Sequence, residues 1–478
     1  ITTYKAKRKE LNSVSNKIHL LVTAPCLFLI KRRKNLENTV FNEQKVSKAY
    51  FILAVPLVLS MIVTLIYNLA DTFFVAQTAD TNLVAGVSLG MPVFTMLMAI
   101  GNIFGQGGAS LISRLIGSKN YKGARSVSSF CFYMTILIGS IFALIMILFR
   151  NPIVMLLGAT PDTYDYAMSY YIYLSIGAPI IMLSFIHTNF LRSEGMSKES
   201  MIGTVSGAVV NTILDPIFIS GIGLGAAGAA IASIIGYFVS VIYCVIVVKM
   251  KSQLLSVDVH EFLIPNSHVK QIFSIGIPAA IVNVMQSVSV ILMNHFLIEF
   301  GNEKIAAMGI VLKISMIALL LLTGLSFGGQ PLFGYYYGAR DNDRMRKLIS
   351  FCAKFISGVA LLVTAIIWFF SKWLIQIFMN TSSIVEEGSI MLRFQVITMV
   401  FVGMILLITI LFQSTGKSKA SFILSVSRQG LAFLVTLVIG YHFLGYMGII
   451  CAQAVADLLT MCLALYLFKI NLYEEIYK

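Results

Sequence analysis

Asp71 and Asp215 are the residues in this sequence with the strongest case for chemistry. Each stands alone as an acid inside a long apolar stretch: IYNLADTFFV (66–75) for Asp71 and VVNTILDPIFI (209–219) for Asp215. An ionisable side chain in hydrocarbon costs about 2.5–3.5 kcal/mol on insertion scales, so it needs a partner or a purpose. Asn68 lies one helical turn before Asp71 and Asn211 one turn before Asp215, each on its aspartate's face. No Lys or Arg shares either stretch. Two carboxylates and two amide oxygens form a donor set suited to a proton or a small cation. Pro216 follows Asp215 directly and disfavours regular helix there, which can free backbone carbonyls to assist. The competing account is a pair of structural polar residues with satisfied partners, but intramembrane acids are functional by default.

Other candidates carry less. Lys313 and Asp457 sit in separate apolar stretches at depths that a stretched lysine can bridge, and a buried ion pair is favoured over a coupling role. His187 and His295 each stand alone in an apolar run and are expected to pack rather than to move protons. GLGAAG (223–228) matches a dinucleotide fingerprint letter by letter, yet no strand precedes it and no acid follows at the required distance. GNIFG (101–105) and GLSFG (324–328) read as packing seams or flex points. The six cysteines form no CxxC pair and read as small apolar packing residues. With no HExxH or P-loop, the sequence gives no support to an enzyme, and no cofactor is expected.

The elements that must hold the two acids follow from composition. The chain has 478 residues, is 58% apolar and is only 12% charged, against about a quarter in soluble domains. Lipid must therefore cover much of the surface, and stretches of about 18 or more apolar residues can each cross a bilayer as a helix. Such spans are predicted near 50–75, 83–116, 127–149, 166–191, 201–221 and 224–248, then 271–299, 304–336, 349–371, 389–413, 421–441 and 443–469. Pro92, Pro179 and Pro278 are predicted bends. Residues 1–49 form a basic N-terminal extension whose apolar run, 18–30, is too short to span. Without a small-residue cleavage site it is not expected to be a cleaved signal. It is expected to be disordered or surface-lying, with no role in the chain's main activity.

Placing both termini in the cytoplasm puts 30 of the 35 Lys and Arg on the inner side, counting 413–428 as an inner loop. The net charge of +14 is explained this way rather than by a nucleic-acid-binding patch.

The two halves repeat. LRSEGMSKESMI (191–202) aligns with FQSTGKSKASFI (412–423), Ser129-Phe130-Cys131 with Ser350-Phe351-Cys352, and Leu224, Gly225 and Gly228 with Leu444, Gly445 and Gly448. Each half holds an even number of spans, so the repeat is parallel, about an axis along the membrane normal. The expected fold is an all-α integral membrane protein of twelve transmembrane helices in two six-helix lobes. The boundaries are 50–248 for the first lobe, 249–270 for a cytoplasmic linker, 271–470 for the second lobe and 471–478 for a cytoplasmic tail. Two facing lobes suit alternating access to a site near the bilayer midplane.

PLVLSMIVTLIYNLADTFFV (56–75), GNIFGQGGASLISRLIGSKN (101–120), VVNTILDPIFI (209–219) and GAAGAAIASIIG (225–236) resemble the multidrug and toxic compound extrusion (MATE) family over residues 50–470. The similarity is greatest to bacterial exporters whose acidic cation-site residues lie in the N-terminal lobe. It implies export of small organic cations in exchange for inward H⁺ or Na⁺, from a multi-pass position in the cell membrane. The family's cation site falls on Asp71, Asn211 and Asp215, with Ser233 where a Thr is common and Tyr170 near the start of the fourth span. Na⁺, if it is the coupling ion, is expected at Asp71, Asn211, Asp215 and Ser233. The acid that other branches carry in the seventh span is absent, and Val284, Met285 and Gln286 occupy that region. The chain is read as a monomer in the bilayer with no nucleic-acid partner. The alternative within the same superfamily is a flippase for lipid-linked saccharides, which would line its cleft with several cationic residues, whereas Lys313 is the main intramembrane cation read here.

Overall fold

The computed structural model describes residues 40, 41 and 45–477. The expectation for the N-terminal extension therefore falls almost wholly outside the described residues. Among them no strand occurs. Within the described residues ten helices are long and apolar enough to cross a membrane, and two bent pairs make twelve if each pair is one span.

The spans are α1 (Val46–Ala76), α2 (Thr81–Gly117), α3 (Tyr121–Leu148), α4 (Tyr164–Ile176 with Ala178–Ser193), α5 (Ser197–Gly221) and α6 (Gly225–Lys251). There follow α7 (Asn266–Phe300), α8 (Glu303–Ala339), α9 (Asn342–Phe369), α10 (Ser382–Val396 with Met399–Thr415), α11 (Ser418–Leu444) and α12 (Tyr446–Tyr477). The bends measure 53° in α4 and 41° in α10. In α4 the break is explained by Gly177 followed by Pro179, whose ring cannot continue the hydrogen-bond ladder. Pro92 likewise opens the second segment of α2 after a break at Gly90, whereas Pro278 lies within a continuous α7.

The internal repeat extends to local geometry. Lys119 and Arg340 both adopt positive φ at the α2–α3 and α8–α9 turns. Each is followed by a side chain that caps the next helix: Asn120 accepts from the Gly123 N–H at 3.0 Å, and Asp341 from the Arg344 N–H at 3.0 Å. α5 and α11 also each contain a π-helical stretch, though not at matching positions: Ile217–Gly221 ends α5, whereas Ser427–Leu431 lies near the middle of α11.

α2 and α4 pack at the centre of the first lobe, with α5 against α6, and α10 packs against α8, α9 and α12 in the second. The lobes meet along α2 with α7 and α8, and along α1 with α8. These contacts gather at one end of the molecule. There Gly107 and Gly276 let the α2 and α7 backbones touch, so that a Cβ on Gly276 would collide with the Ile103 carbonyl. Gly324 and Gly328, from one of the sequence's GxxxG pairs, seat on Val58, Met61 and Ala54 of α1. The other pair, Gly101 and Gly105, packs within its own lobe on the Met182 and Phe185 backbone. Toward the opposite end, Leu69 and Phe73 of α1 and Ile291 of α7 are exposed.

Between α6 and α7 the chain is fastened under α3. Ser128 Oγ donates to the Ser256 carbonyl at 2.9 Å, and Tyr133 to that of Val257 at 3.0 Å.

Candidate functional site

The α5–α6 contact is the foundation of the first-lobe cluster. Gly207 and Gly236 face each other so closely that a Cβ on Gly236 would lie 2.7 Å from the Gly207 carbonyl and 2.9 Å from Asn211 Cβ. Only two glycines permit this approach, and it brings Asn211 and Ser233 into contact. Asn211 Nδ2 donates to Ser233 Oγ at 3.3 Å and to Asp215 Oδ1 at 3.2 Å. Asp215 is fully buried and Asn211 nearly so.

α1 supplies Asp71, whose charge lies within electrostatic reach of Asp215. In the turn after α1, Asp80 caps α2 by accepting from the Asn82 and Leu83 N–H groups, and it accepts the Tyr166 hydroxyl of α4 at 2.7 Å. The Tyr166 hydroxyl and these backbone donors hold the Asp80 carboxyl below the usual carboxylate range, because each favours the ionised form. This clasp joins the start of α2 to α4, one turn before Tyr170. The Tyr170 ring covers Gly90 at the break in α2, and it too lies near Asp71 and Asp215.

The structure thus brings together Asp71, Asn211, Asp215, Ser233 and Tyr170. Asn68 is different: it is exposed, and none of the cluster's hydrogen bonds uses its side chain. Sequence reasoning missed Tyr67 and Tyr237, which stand near each other beside Ser233 and Asp71. A signal existed, since Tyr67 is four residues before Asp71 and Tyr237 four after Ser233, each on the same helix face.

Donors and acceptors do not balance here. Asp71 Oδ1, Asn211 Oδ1 and Asp215 Oδ2 are buried without a hydrogen-bond donor among the described residues. An unsatisfied buried polar group costs about 1–3 kcal/mol. Three acceptor oxygens on two helices, with hydroxyls around them, have the chemistry of a site for a proton or a hard monovalent cation such as Na⁺, which takes oxygen ligands. The unpartnered donors are all oxygen atoms, the ligand type that hard cations prefer.

In the second lobe the structure corrects the sequence reading. Asp457 is paired not with Lys313 but with Arg428, whose Nε donates to Oδ1 at 2.9 Å. Lys313 is exposed on α8. The error came from treating Arg428 as part of an inner loop. α11 begins at Ser418, so Arg428 lies within the span. His187 is buried, with its ring edge-on to Phe132, and GLGAAG forms the α5–α6 turn and a seat for Gly228 on the Phe218 carbonyl.

Comparison with known proteins agrees with this architecture. A family model described as MatE matches residues 56–217 and 278–438, one stretch in each lobe. A relative named Multidrug export protein MepA, from Staphylococcus saprophyticus, is 30% identical over 422 residues, covering 88% of this chain and 93% of the relative. A protein of the same name from Staphylococcus aureus is 29% identical over 426 residues, covering 89% and 94%. Among solved structures, one described as the outward-facing conformation of a multidrug resistance MATE family transporter of the MOP superfamily superposes with a TM-score of 0.86 at 23% identity, over 92% of this chain and 99% of that one. A MOP superfamily transporter from Pyrococcus furiosus, described as having a binding pocket of reverse polarity, gives the same figures. At that identity the structures speak for the fold alone. With a family model matched in both lobes and a relative 30% identical along most of its length, the chain belongs to the MATE family, whose members are membrane transporters and not enzymes.

Proposed function

We propose that this protein exports small organic cations, drugs among them, in exchange for H⁺ or Na⁺ entering through the Asp71–Asn211–Asp215 cluster. The observation that carries the proposal is the set of three unpartnered buried acceptor oxygens, Asp71 Oδ1, Asn211 Oδ1 and Asp215 Oδ2, from two helices of one lobe. The multidrug-export names of the relatives support the cargo class.

In this reading one negative site serves two positive ligands in turn. An entering cation neutralises the carboxylates, weakens their hold on a cationic cargo, and changes the relative energies of the two lobe arrangements. A ligand shifts such an equilibrium only by its differential affinity for the two states. The cluster can provide that difference, because the oxygens left without donors gain a partner when the cation arrives. Ser233, Tyr67 and Tyr237 would orient the oxygens, and Tyr170 over Gly90 would register the state of α2.

With both termini in the cytoplasm of a cell-membrane protein, the end at which the lobes touch is the inner one, so the cleft opens outward. The seam of Gly107, Gly276, Gly324 and Gly328 is then the inner gate. The saccharide-flippase alternative calls for free cationic side chains in the cleft, and Arg428 is taken up by Asp457.

The test is efflux of ethidium from vesicles carrying an imposed H⁺ or Na⁺ gradient. Wild type is expected to extrude the dye with one of the two gradients, and Asp215→Asn to fall to the no-gradient rate. Gradient-driven efflux at the wild-type rate in Asp215→Asn would remove the mechanism.

A further inference from the structure

Asp457, on α12, is 1% exposed and engaged at both oxygens. Oδ1 accepts from Arg428 Nε at 2.9 Å and from Gln453 Nε2 at 3.0 Å, and Oδ2 accepts from Thr398 Oγ1 at 2.9 Å. These donors come from three spans. Arg428 lies on the π-helical stretch Ser427–Leu431 of α11, Thr398 at the bend of α10, and Gln453 one turn before Asp457. α7 closes the group from the remaining side, where Ser289 Oγ donates to the Gln429 carbonyl.

The internal repeat gives this arrangement its meaning. Ser233 and Tyr237 stand five and nine residues past Gly228, and Gln453 and Asp457 stand five and nine past its counterpart Gly448. Thr398 occupies the bend of α10 as Gly177 occupies that of α4. The surrounding helices correspond as well: α1, α4, α5 and α6 around Asp71 and Asp215, and α7, α10, α11 and α12 around Asp457.

We infer that the Asp457 cluster is the second lobe's copy of the cation pocket, a latent cation-binding site that Arg428 keeps filled with the chain's own guanidinium. The inference rests on reading the first-lobe cluster as the exchangeable site. A guanidinium does not lose its proton in proteins and offers donors in a fixed fork. Tethered to α11, it cannot diffuse away when the lobes move. The lobe's buried charge is then balanced in every state of the cycle, and only the first lobe changes its charge. Covalent attachment also gives the guanidinium a high effective concentration, so that a free cation competes poorly for Asp457. The π-helical stretch fits such a device, because the wider turn is a frequent companion of functional side chains in helices.

The experiment removes the tether and supplies the cation from solution. Full-length Arg428→Ala is purified, and its thermal unfolding is followed in millimolar guanidinium chloride against equal NaCl. The expected result is a saturable rise of several degrees with guanidinium, absent from wild type and from Arg428→Ala/Asp457→Asn. If Arg428→Ala survives poorly, the yield of folded protein solubilised in guanidinium against NaCl is the readout, with the same expected order. A response to guanidinium no larger than that of wild type, an equal response in the double variant, or no folded protein in either salt would overturn the inference. Repeating the titration in an Asp71→Asn/Asp215→Asn background separates the two readings. The guanidinium response is expected to persist there, whether or not gradient-driven efflux turns out to depend on Asp71 and Asp215.

Discussion

One scaffold, present twice, resolves a buried carboxylate in two opposite ways. Around Asp71 and Asp215 acceptors outnumber donors, and three oxygens lack partners. Around Asp457 every carboxylate oxygen has a donor, one of them a permanent cation. The first arrangement gives up stability to remain able to bind. The second has the form of a structural ion pair, with hydrogen bonds satisfying the remaining lone pairs as burial demands. Duplication supplies the geometry, and a few side chains, Arg428 above all, decide whether that geometry is a site or a strut.

The comparison can be broken first where its energies are largest. Arg428→Gln leaves Asp457 charged and unpaired and is expected to cost about 3–5 kcal/mol in unfolding free energy, whereas Asp215→Asn, which removes a carboxylate from a donor-poor cluster, is expected to leave stability unchanged or higher. Chemical denaturation in detergent with far-UV circular dichroism measures both, and equal losses would erase the contrast between the lobes. Arg428→Gln/Asp457→Asn should then recover most of the loss, a coupling that a double-mutant cycle reads directly.

Thr398→Val comes next, expected to cost about 1.5–3 kcal/mol as the loss of a hydrogen bond to a charged acceptor by the same denaturation. Lys313→Met sharpens the assignment of Asp457's partner: an exposed residue outside the pair should change stability by no more than about 0.5 kcal/mol. A loss as large as that of Arg428→Gln would restore Lys313 to the pair.

The smallest effect concerns the Asp80 clasp. Its carboxyl is held below its unfolded value by the Tyr166 hydroxyl and the Leu83 and Asn82 N–H groups. The stability it adds is present above the unfolded value and is lost as pH falls through the depressed folded one. Asp80→Asn should therefore lower stability slightly at neutral pH, where the ionised clasp contributes, and flatten the acid end of the stability–pH curve. Thermal unfolding from neutral pH down through the carboxylate range reads it out.

Much of this was legible in the chain itself. Asp71 and Asp215 could be marked because hydrocarbon penalises acids so heavily that each one stands out in its span, and Asn211 by its place one helical turn before Asp215. Asn68 was marked by the same helical arithmetic and is exposed instead: spacing along a helix identifies a shared face but not what that face meets. Tyr67 and Tyr237 obeyed the i, i+4 rule and were still overlooked, because tyrosine is common in this chain and only contact separates two of the 20 from the rest. Arg428 was assigned to a loop because Lys417 and Lys419 precede it, and a basic cluster near a span end reads as a cytoplasmic turn until the start of α11 is seen.

The sequence by itself determined what the solvent dictates: twelve apolar spans, the repeat of the two halves, and the few ionisable groups that lipid cannot leave unexplained. Transfer free energy acts residue by residue, so it can be read residue by residue. The partners of those groups were a tertiary matter. Which oxygen meets which donor depends on bends, π-turns and glycine contacts between helices far apart in the chain, and hydropathy alone does not distinguish a pair made by Lys313 of α8 from one made by Arg428 of α11.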